Sequence, residues 1–332
     1  MSSNTPSSGV PINTYCAVVG GANVDLLGVP NQSLQTHTSN PGRVTSSPGG
    51  VARNIAENLV RLGENCWLIA PLGADANGAW LQQDCERLGI NVSGLITMAG
   101  QTTSTYLSIV DKTGDMQVAI ADMSLIDQFG SRHLQPYLTQ LKAANIVVLD
   151  ANLAPHCWTF LSQNLASQKL FVDPVSVVKA QRIKPFLACI HSLKPNLTEA
   201  QAMADINLGP NPDNEQLSQL AQWFRQQGVQ HVYLSLGPRG VLYAGPEQQF
   251  IMAAKTAIAT DKIINSNGAG DAMMAALCAG WIQGLAAPER VAWGLACAHI
   301  AMLSEATINP QLTPSLLQRV LKEHPCQITY LP

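Results

Sequence analysis

Short β-branched or apolar runs alternate with helix-like stretches along most of this chain, with strand candidates at 17–19, 66–70, 145–150, 170–173, 192–194 and 232–236. Strands separated by helices pair in parallel through right-handed crossovers. The alternation therefore predicts an α/β fold with a mainly parallel central sheet and helices on both faces. Ligands on such sheets bind beyond the carboxyl ends of the strands, where Asn23, Asp25, Asp150, Asp173, Asn196 and Gly237 fall. Two stretches break the alternation. Residues 25–47, and a hairpin of 103–110 turning through 111–115 into 116–121, have strand character without a following helix.

The stretch Asn265-Ser266-Asn267-Gly268-Ala269-Gly270-Asp271 runs into the small-residue helix pattern Ala272-Met273-Met274-Ala275-Ala276-Leu277. Asp271 is thus expected in the first turn of a helix, behind a glycine-rich bend. Glycines let a ligand approach the backbone closely, and the free N–H groups of a helix start favour an anion. A carboxylate beside a phosphate cannot bind it, because the charges repel. Its reasonable task is to take the proton of a hydroxyl that attacks phosphorus. Taken alone, the motif would be a helix start with a dipole-stabilising Asp.

A second group of polar residues adds weight. Gly20-Gly21-Ala22-Asn23-Val24-Asp25 ends the first predicted strand with two short polar side chains on one face. Ser47-Pro48-Gly49-Gly50-Val51-Ala52-Arg53-Asn54 places a glycine pair before a helix whose Val51, Ile55, Leu59 and Leu62 have helical spacing and whose stop is Gly63. Asn54 lies off that apolar stripe. Asn23, Asp25, Gly49, Gly50 and Asn54 could form a sugar-sized polar pocket, although each alone reads as a turn or cap residue.

With these motifs in view, the chain resembles the ribokinase-like (PfkB) carbohydrate and nucleoside kinases over residues 15–310, with both glycine motifs in the family's order and separation. Within that family its wording resembles the bacterial pseudouridine kinases. The stretches that carry this are Ser39-Asn40-Pro41-Gly42, Pro48 through Ala56, Thr103-Ser104-Thr105-Tyr106-Leu107-Ser108, Phe171-Val172-Asp173-Pro174-Val175-Ser176, and Asn267 through Ala275. The resemblance implies a three-layer α/β/α domain over 14–332, after a tail of 1–13, with a small β-lid from segments near 25–47 and 103–121. It implies ATP-dependent phosphorylation of the 5′-hydroxyl of pseudouridine, with other ribosyl or nucleoside kinases, or a non-catalytic nucleoside sensor, as alternatives. The retained Asp271 argues against a sensor, which has no chemical need of a base.

Carried over by residue, the resemblance makes Asp271 the base, and Gly268, Ala269 and Gly270, with Asn267, the anion hole. Asn23, Asp25, Gly49, Gly50 and Asn54 hold the sugar. Asn196 and Glu199 of Lys194-Pro195-Asn196-Leu197-Thr198-Glu199 organise the phosphates, with Glu199 reaching Mg2+ through water. Thr198 and Glu199 also suit the start of a helix. Ser235, Gly237 and Gly240 belong to the nucleotide loop, whose bland counterpart is a hairpin turn. Many family members carry Asp where this chain has Asn265, and that Asp helps bind activating K+. Asn keeps an oxygen but loses the charge, so potassium is not assigned. Acceptors for the additional N–H of a C-linked uracil are sought among Ser39, Asn40, Thr103, Thr105, Asp122 and Asp173.

Composition removes other classes. The 332 residues carry a net charge of −3, which offers no electrostatic footprint for nucleic acid or an anionic membrane. No apolar run reaches spanning length and the start lacks the pattern of a secretion signal, so a cytoplasmic protein is expected. The eight cysteines lie singly in mostly apolar contexts, and the seven histidines are scattered without zinc spacing. Gly20-Gly21-Ala22-Asn23 does not supply the dehydrogenase G-x-G-x-x-G. Exposed lid surface is a candidate for pairing with a second copy.

Overall fold

The computed structural model describes residues 14–111, 115–255 and 263–331. The expected tail at 1–13 and the tip of the predicted hairpin lie outside them. Among the described residues, fourteen strands divide into two sheets. In chain order they are β1 Cys16–Val19, β2 Asn23–Pro30, β3 Gly42–Gly49, β4 Cys66–Gly73, β5 Asn91–Met98, β6 Thr105–Val110 and β7 Met116–Asp122. Then follow β8 Ile146–Asp150, β9 Leu170–Asp173, β10 Ser192–Leu193, β11 His231–Ser235, β12 Val241–Ala244, β13 Gln249–Ala254 and β14 Cys326–Tyr330.

The large sheet has ten strands in the order β14-β13-β12-β11-β10-β9-β8-β1-β4-β5. From β11 to β5 every pairing is parallel, while β12 and β13 continue it as consecutive antiparallel strands and β14, which follows three further helices, adds antiparallel at the edge. The parallel strands β1, β4, β8 and β9 are buried along their whole length, which is why they read as unbroken apolar runs. Alternation divides their side chains between two cores. Cys16 and Val18 face one core with the helices Val51–Arg61, Ala269–Ile282 and Ala287–Met302, whereas Ala17 and Val19 face the other with Pro155–Asn164 and Asn214–Gln226.

The small sheet, β3-β2-β6-β7, is the lid. β2 pairs antiparallel with β3 and parallel with β6, and β6 returns antiparallel as β7. One expectation is corrected here. The first central strand stops at Val19, so Asn23 and Asp25 open the first lid strand rather than ending β1. Gly20, Gly21 and Ala22 let the chain leave the sheet, and the alternation of β2 still puts Asn23 and Asp25 on one face.

The chain runs from β1 outward to β4 and β5, then returns to β8 on the other side of β1. The reversal opens a crevice between β1 and β8, the usual ligand position in such sheets. Asp150 closes its floor. This buried carboxylate accepts hydrogen bonds from the backbone N–H groups of Gly21 (2.9 Å), Ala52 (3.0 Å) and Asn152 (2.9 Å), joining three chain segments at the switch point.

Candidate active site

A cavity of about 1100 Å3 lies above that crevice, between the large sheet and the lid. Asn23, Asp25, Gly50 and Asn54 line one part of it, and Asn196, Glu199, Ser235, Asn267, Gly268, Gly270 and Asp271 another. The two motifs lie far apart in sequence and meet in space. Gly49 lies in the adjoining lid strand, paired with Asn23. Ala269, Gly237 and Gly240 do not line the cavity. Gly237 and Gly240 shape the turn between the antiparallel strands β11 and β12, the hairpin that the sequence also allowed.

The helix Ala269–Ile282 begins where Gly268, at φ 79°, turns into it. A Cβ at that glycine would strike the backbone carbonyl of Thr307, so only glycine fits. Gly50, at φ 98°, caps the helix Val51–Arg61, and a Cβ there would strike the carbonyl of Gly21. Neither helix start has a cap from its N-cap residue. In the helix Val51–Arg61 the Ala52 and Arg53 N–H groups are taken by Asp150 and the Gly21 carbonyl, whereas the start of Ala269–Ile282 presents its first-turn N–H groups to an anion.

Asp271 occupies the first turn of its helix, 9% exposed. Its Oδ2 accepts a hydrogen bond from Asn54 Nδ2 at 2.9 Å. Burial, aided by the nearby Asp173 carboxylate, pushes the Asp271 carboxyl up to about 7, against the opposing pull of Asn54 and Lys194. A carboxyl tuned to that range takes up and releases a proton near neutral pH.

Beside it stands a cation whose role was not assigned from the sequence. Lys194 Nζ pairs with Asp173 at 3.1 Å, and it lies beneath Gly270, 3.3 Å from where a Cβ would be. Burial disfavours the ammonium, but the carboxylates of Asp173 and Glu199 outweigh that and hold the lysine charged, above its usual range. A fixed positive charge under the glycine turn is suited to phosphate oxygens.

Asn196 and Glu199 form a capping box on the helix Leu197–Ala204. Asn196 Oδ1 accepts the Glu199 N–H at 2.8 Å, and Glu199 Oε2 accepts the Asn196 N–H at 2.9 Å. The plain helix-start reading is therefore realised, yet both side chains also line the cavity. Burial raises the Glu199 carboxyl despite the hydrogen bond from Asn196. Asn265, the residue that bears on potassium, uses its oxygen to accept the N–H of Asn267 at 2.9 Å.

At the lid end, Asn23 Nδ2 donates to Asp25 Oδ1 at 2.6 Å, and burial raises the Asp25 carboxyl against the pull of Asn23 and Arg53. Tyr106 and Ser108 of β6 cover this end. Of the six candidate base acceptors, Asp173 alone lines the cavity. Thr103 is buried and occupied, donating to Asp75 at 2.6 Å and accepting the Gly73 N–H at 3.0 Å. Asn40 clamps its own loop through Gln35, and Asp122 accepts from Ser124. Thr105 donates to the Thr103 carbonyl, and Ser39 is exposed.

A further part of the wall carries side chains to which the sequence assigns no role. Lys179 donates to Asn152 Oδ1, and both line the cavity together with Val175 and Ser176. Val175 sits at φ 66°, a costly conformation for a β-branched residue, held by its N–H donating to Asp173 Oδ1 at 2.8 Å. The stretch Asp173-Pro174-Val175-Ser176 carries part of the family resemblance, and nothing in it marks the strain.

The same conclusion comes from comparison with known proteins. Residues 13–314 match the model of the pfkB family of carbohydrate kinases. Pseudouridine kinase of Escherichia coli is 36% identical over 301 residues, covering 90% of this chain and 94% of its own. A putative sugar kinase from Clostridium perfringens superposes with a TM-score of 0.85 at 28% identity, covering 96% of this chain and 98% of its own. Arabidopsis thaliana ribokinase complexed with ribose and ATP gives 0.80 at 18% identity, covering 93% and 99%, a likeness of fold. Among the described residues no helix is long and apolar enough to cross a membrane. A carboxylate poised at a glycine-capped helix start, a β-lid over a switch-point crevice, and these matches together place the chain in the pfkB family of carbohydrate kinases.

Proposed function

We propose that this kinase transfers the γ-phosphoryl group of ATP to the 5′-hydroxyl of pseudouridine, giving pseudouridine 5′-phosphate and ADP. The observation that carries the reading is Asp271, a buried carboxyl raised to about 7 at the N-terminus of a glycine-capped helix. Asp271 accepts the hydroxyl proton as the 5′-oxygen forms its bond to phosphorus. The bond from phosphorus to the bridging oxygen breaks, and the electron pair leaves with ADP. Backbone N–H groups of Gly268, Ala269 and Gly270, with the Lys194 ammonium, stabilise charge on the transferring group, while the Asn267 N–H is engaged by Asn265 and steadies the turn.

Asn23, Asp25, Gly50 and Asn54 hold the ribose, with Gly49 supporting them from the paired lid strand, while Asn196, Glu199 and Ser235 serve the nucleotide and Gly237 and Gly240 shape the turn after Ser235. Glu199 suits Mg2+: with Oε2 engaged by Asn196, Oε1 can meet a hydrated cation. The metal, when bound, supplies charge neutralisation on the phosphates. Lys179, Asn152 and Ser176 offer polar groups to the base. The E. coli relative, named pseudouridine kinase, supports the choice of nucleoside.

The lid supports a homodimer. Register places Leu26, Leu107 and Ile120 side by side, and likewise Val44, Ile109 and Val118 about Gly28, on the sheet face opposite Asp25 and Tyr106. Val44, Val118 and Ile120 are exposed there, an apolar face suited to a second copy.

Comparing kcat/KM for pseudouridine, uridine and ribose tests the reading. Sites built to hydrogen-bond a polar group reject analogues that lack it by up to about 10⁴-fold. A clear preference for uridine or ribose would leave a ribosyl kinase and remove the pseudouridine assignment. Binding without ADP formation would make it a sensor.

A further inference from the structure

Arg53 precedes Asn54 on the helix Val51–Arg61 and is 3% exposed, although it does not line the cavity. A buried guanidinium is costly unless it is paired. Its Nη2 contacts Glu57 Oε2 and Asp84 Oδ2, each at 2.6 Å. Arg61 and Arg87 hold the other oxygens of those carboxylates, each at 2.6 Å. The guanidinium is thus fixed between its own helix and the helix Ala76–Arg87.

From that position Arg53 Nη1 donates to the side-chain oxygen of Asn54 at 3.4 Å. A carboxamide has one oxygen end and one NH2 end, so a donor on the oxygen turns the NH2 the other way. That NH2 faces Asp271, with Nδ2 2.9 Å from Oδ2. The reversed amide would set oxygen against carboxylate and NH2 against guanidinium, unfavourable at both ends.

We infer that Arg53 is a positioning residue for Asp271: through the Asn54 amide it fixes a donor, rather than an acceptor, against the catalytic carboxylate. The inference rests on the proposed role of Asp271. No proton moves along the relay; it sets orientation and electrostatics. The groups facing Asp271 are Asn54 from its helix, Asp150 at the end of β8, Asp173 at the end of β9 and Lys194 after β10. With two of these neighbours acidic, the Asn54 donor opposes protonation, and its loss moves the carboxyl further upward.

The test is Arg53→Lys, which keeps the charge but lacks the fork that reaches carboxylates and amide together. The Asp271 midpoint is read by 13C carboxyl NMR of aspartate-labelled protein, the resonance being assigned by its loss in Asp271→Asn. Loss of one hydrogen bond to a charged group is equivalent to an upward shift of about one pH unit or more. From a midpoint of about 7, a one-unit shift in the free enzyme predicts roughly fivefold lower kcat/KM at pH 7, with recovery near pH 9. Arg61→Gln, which breaks another ion pair of the cluster, should leave the midpoint in place. Should Arg53→Lys not fold, Arg53→Gln combined with Glu57→Gln removes one charge of each sign and carries the same expected shift.

In an Asn54→Leu background, Arg53→Lys should no longer move the midpoint, because the relay is already cut. An unchanged midpoint in Arg53→Lys, or a pH-independent activity loss matching Arg61→Gln, would overturn the inference. The NMR midpoint needs no substrate. A wild-type protein that turned over no nucleoside, with the midpoint still moving in Arg53→Lys, would overturn the proposed function and leave the positioning intact.

Discussion

Lys194 and Asp173 form a buried ion pair of 3.1 Å directly beneath the glycine turn that precedes Asp271. In the proposed mechanism the pair places a cation beside the transferring phosphate, and its anion raises the Asp271 carboxyl. Lys194→Gln therefore acts twice. Loss of the cation should lower kcat by about 10²–10³-fold, the scale of removing one group that stabilises transition-state charge. Leaving Asp173 buried and unpaired should cost on the order of 3–5 kcal/mol of stability. Steady-state kinetics and denaturant titration read the two effects separately.

The raised Asp271 carboxyl gives a pH dependence of defined sign. In the proposed mechanism the carboxylate is the active form, so kcat/KM should fall as pH drops through about 7. Stability moves the opposite way. The folded carboxyl binds its proton more tightly than the unfolded one, so this group's contribution is full below the unfolded value and is lost as pH rises through the folded one. Asp271→Asn removes the buried charge, and at pH 8 it should be more stable than wild type by on the order of a few kcal/mol. Urea denaturation at pH 5 and pH 8 checks this, since the gain should shrink at pH 5.

Asp25→Ala should weaken nucleoside binding by roughly 1.5–3 kcal/mol through loss of a charge-assisted hydrogen bond to a ribose hydroxyl. ATP binding should barely change. Calorimetry showing ATP affinity lost and nucleoside affinity kept would invert the map of the site.

The apolar outer face of the lid should hold two copies together. Ile120→Asp puts a charge at an exposed position on that face and should convert a dimer into a monomer while leaving the fold intact. Light scattering after size exclusion reads the mass. A wild-type monomer at micromolar concentration would remove the lid interface.

Local chemistry made much of this architecture legible. The buried parallel strands announce themselves as apolar runs, and Gly268 and Asp271 carry their own reason for lying at a helix start. The places where legibility failed are governed by long-range geometry. Asn54 and Asp271 are 217 positions apart, and no spacing rule connects them. Lys179 and Asn152 meet because successive crossovers bring the end of β8 beside the helix Val177–Ile183 that follows β9. The sequence assigns Asn23 and Asp25 to the end of the first central strand, because the Gly20-Gly21 exit and the lid strand after it share one polar phrase. Thr103 looked available as a polar lid residue, yet a helix cap at Asp75 claims it.

Asp271→Asn tests the central claim most directly. The amide keeps the shape and can accept from Asn54, but it cannot take the hydroxyl proton. Turnover of pseudouridine with ATP should fall by about 10²–10⁴-fold, while the nucleoside dissociation constant changes by no more than about twofold. Near-wild-type turnover in the folded, purified variant would contradict the account.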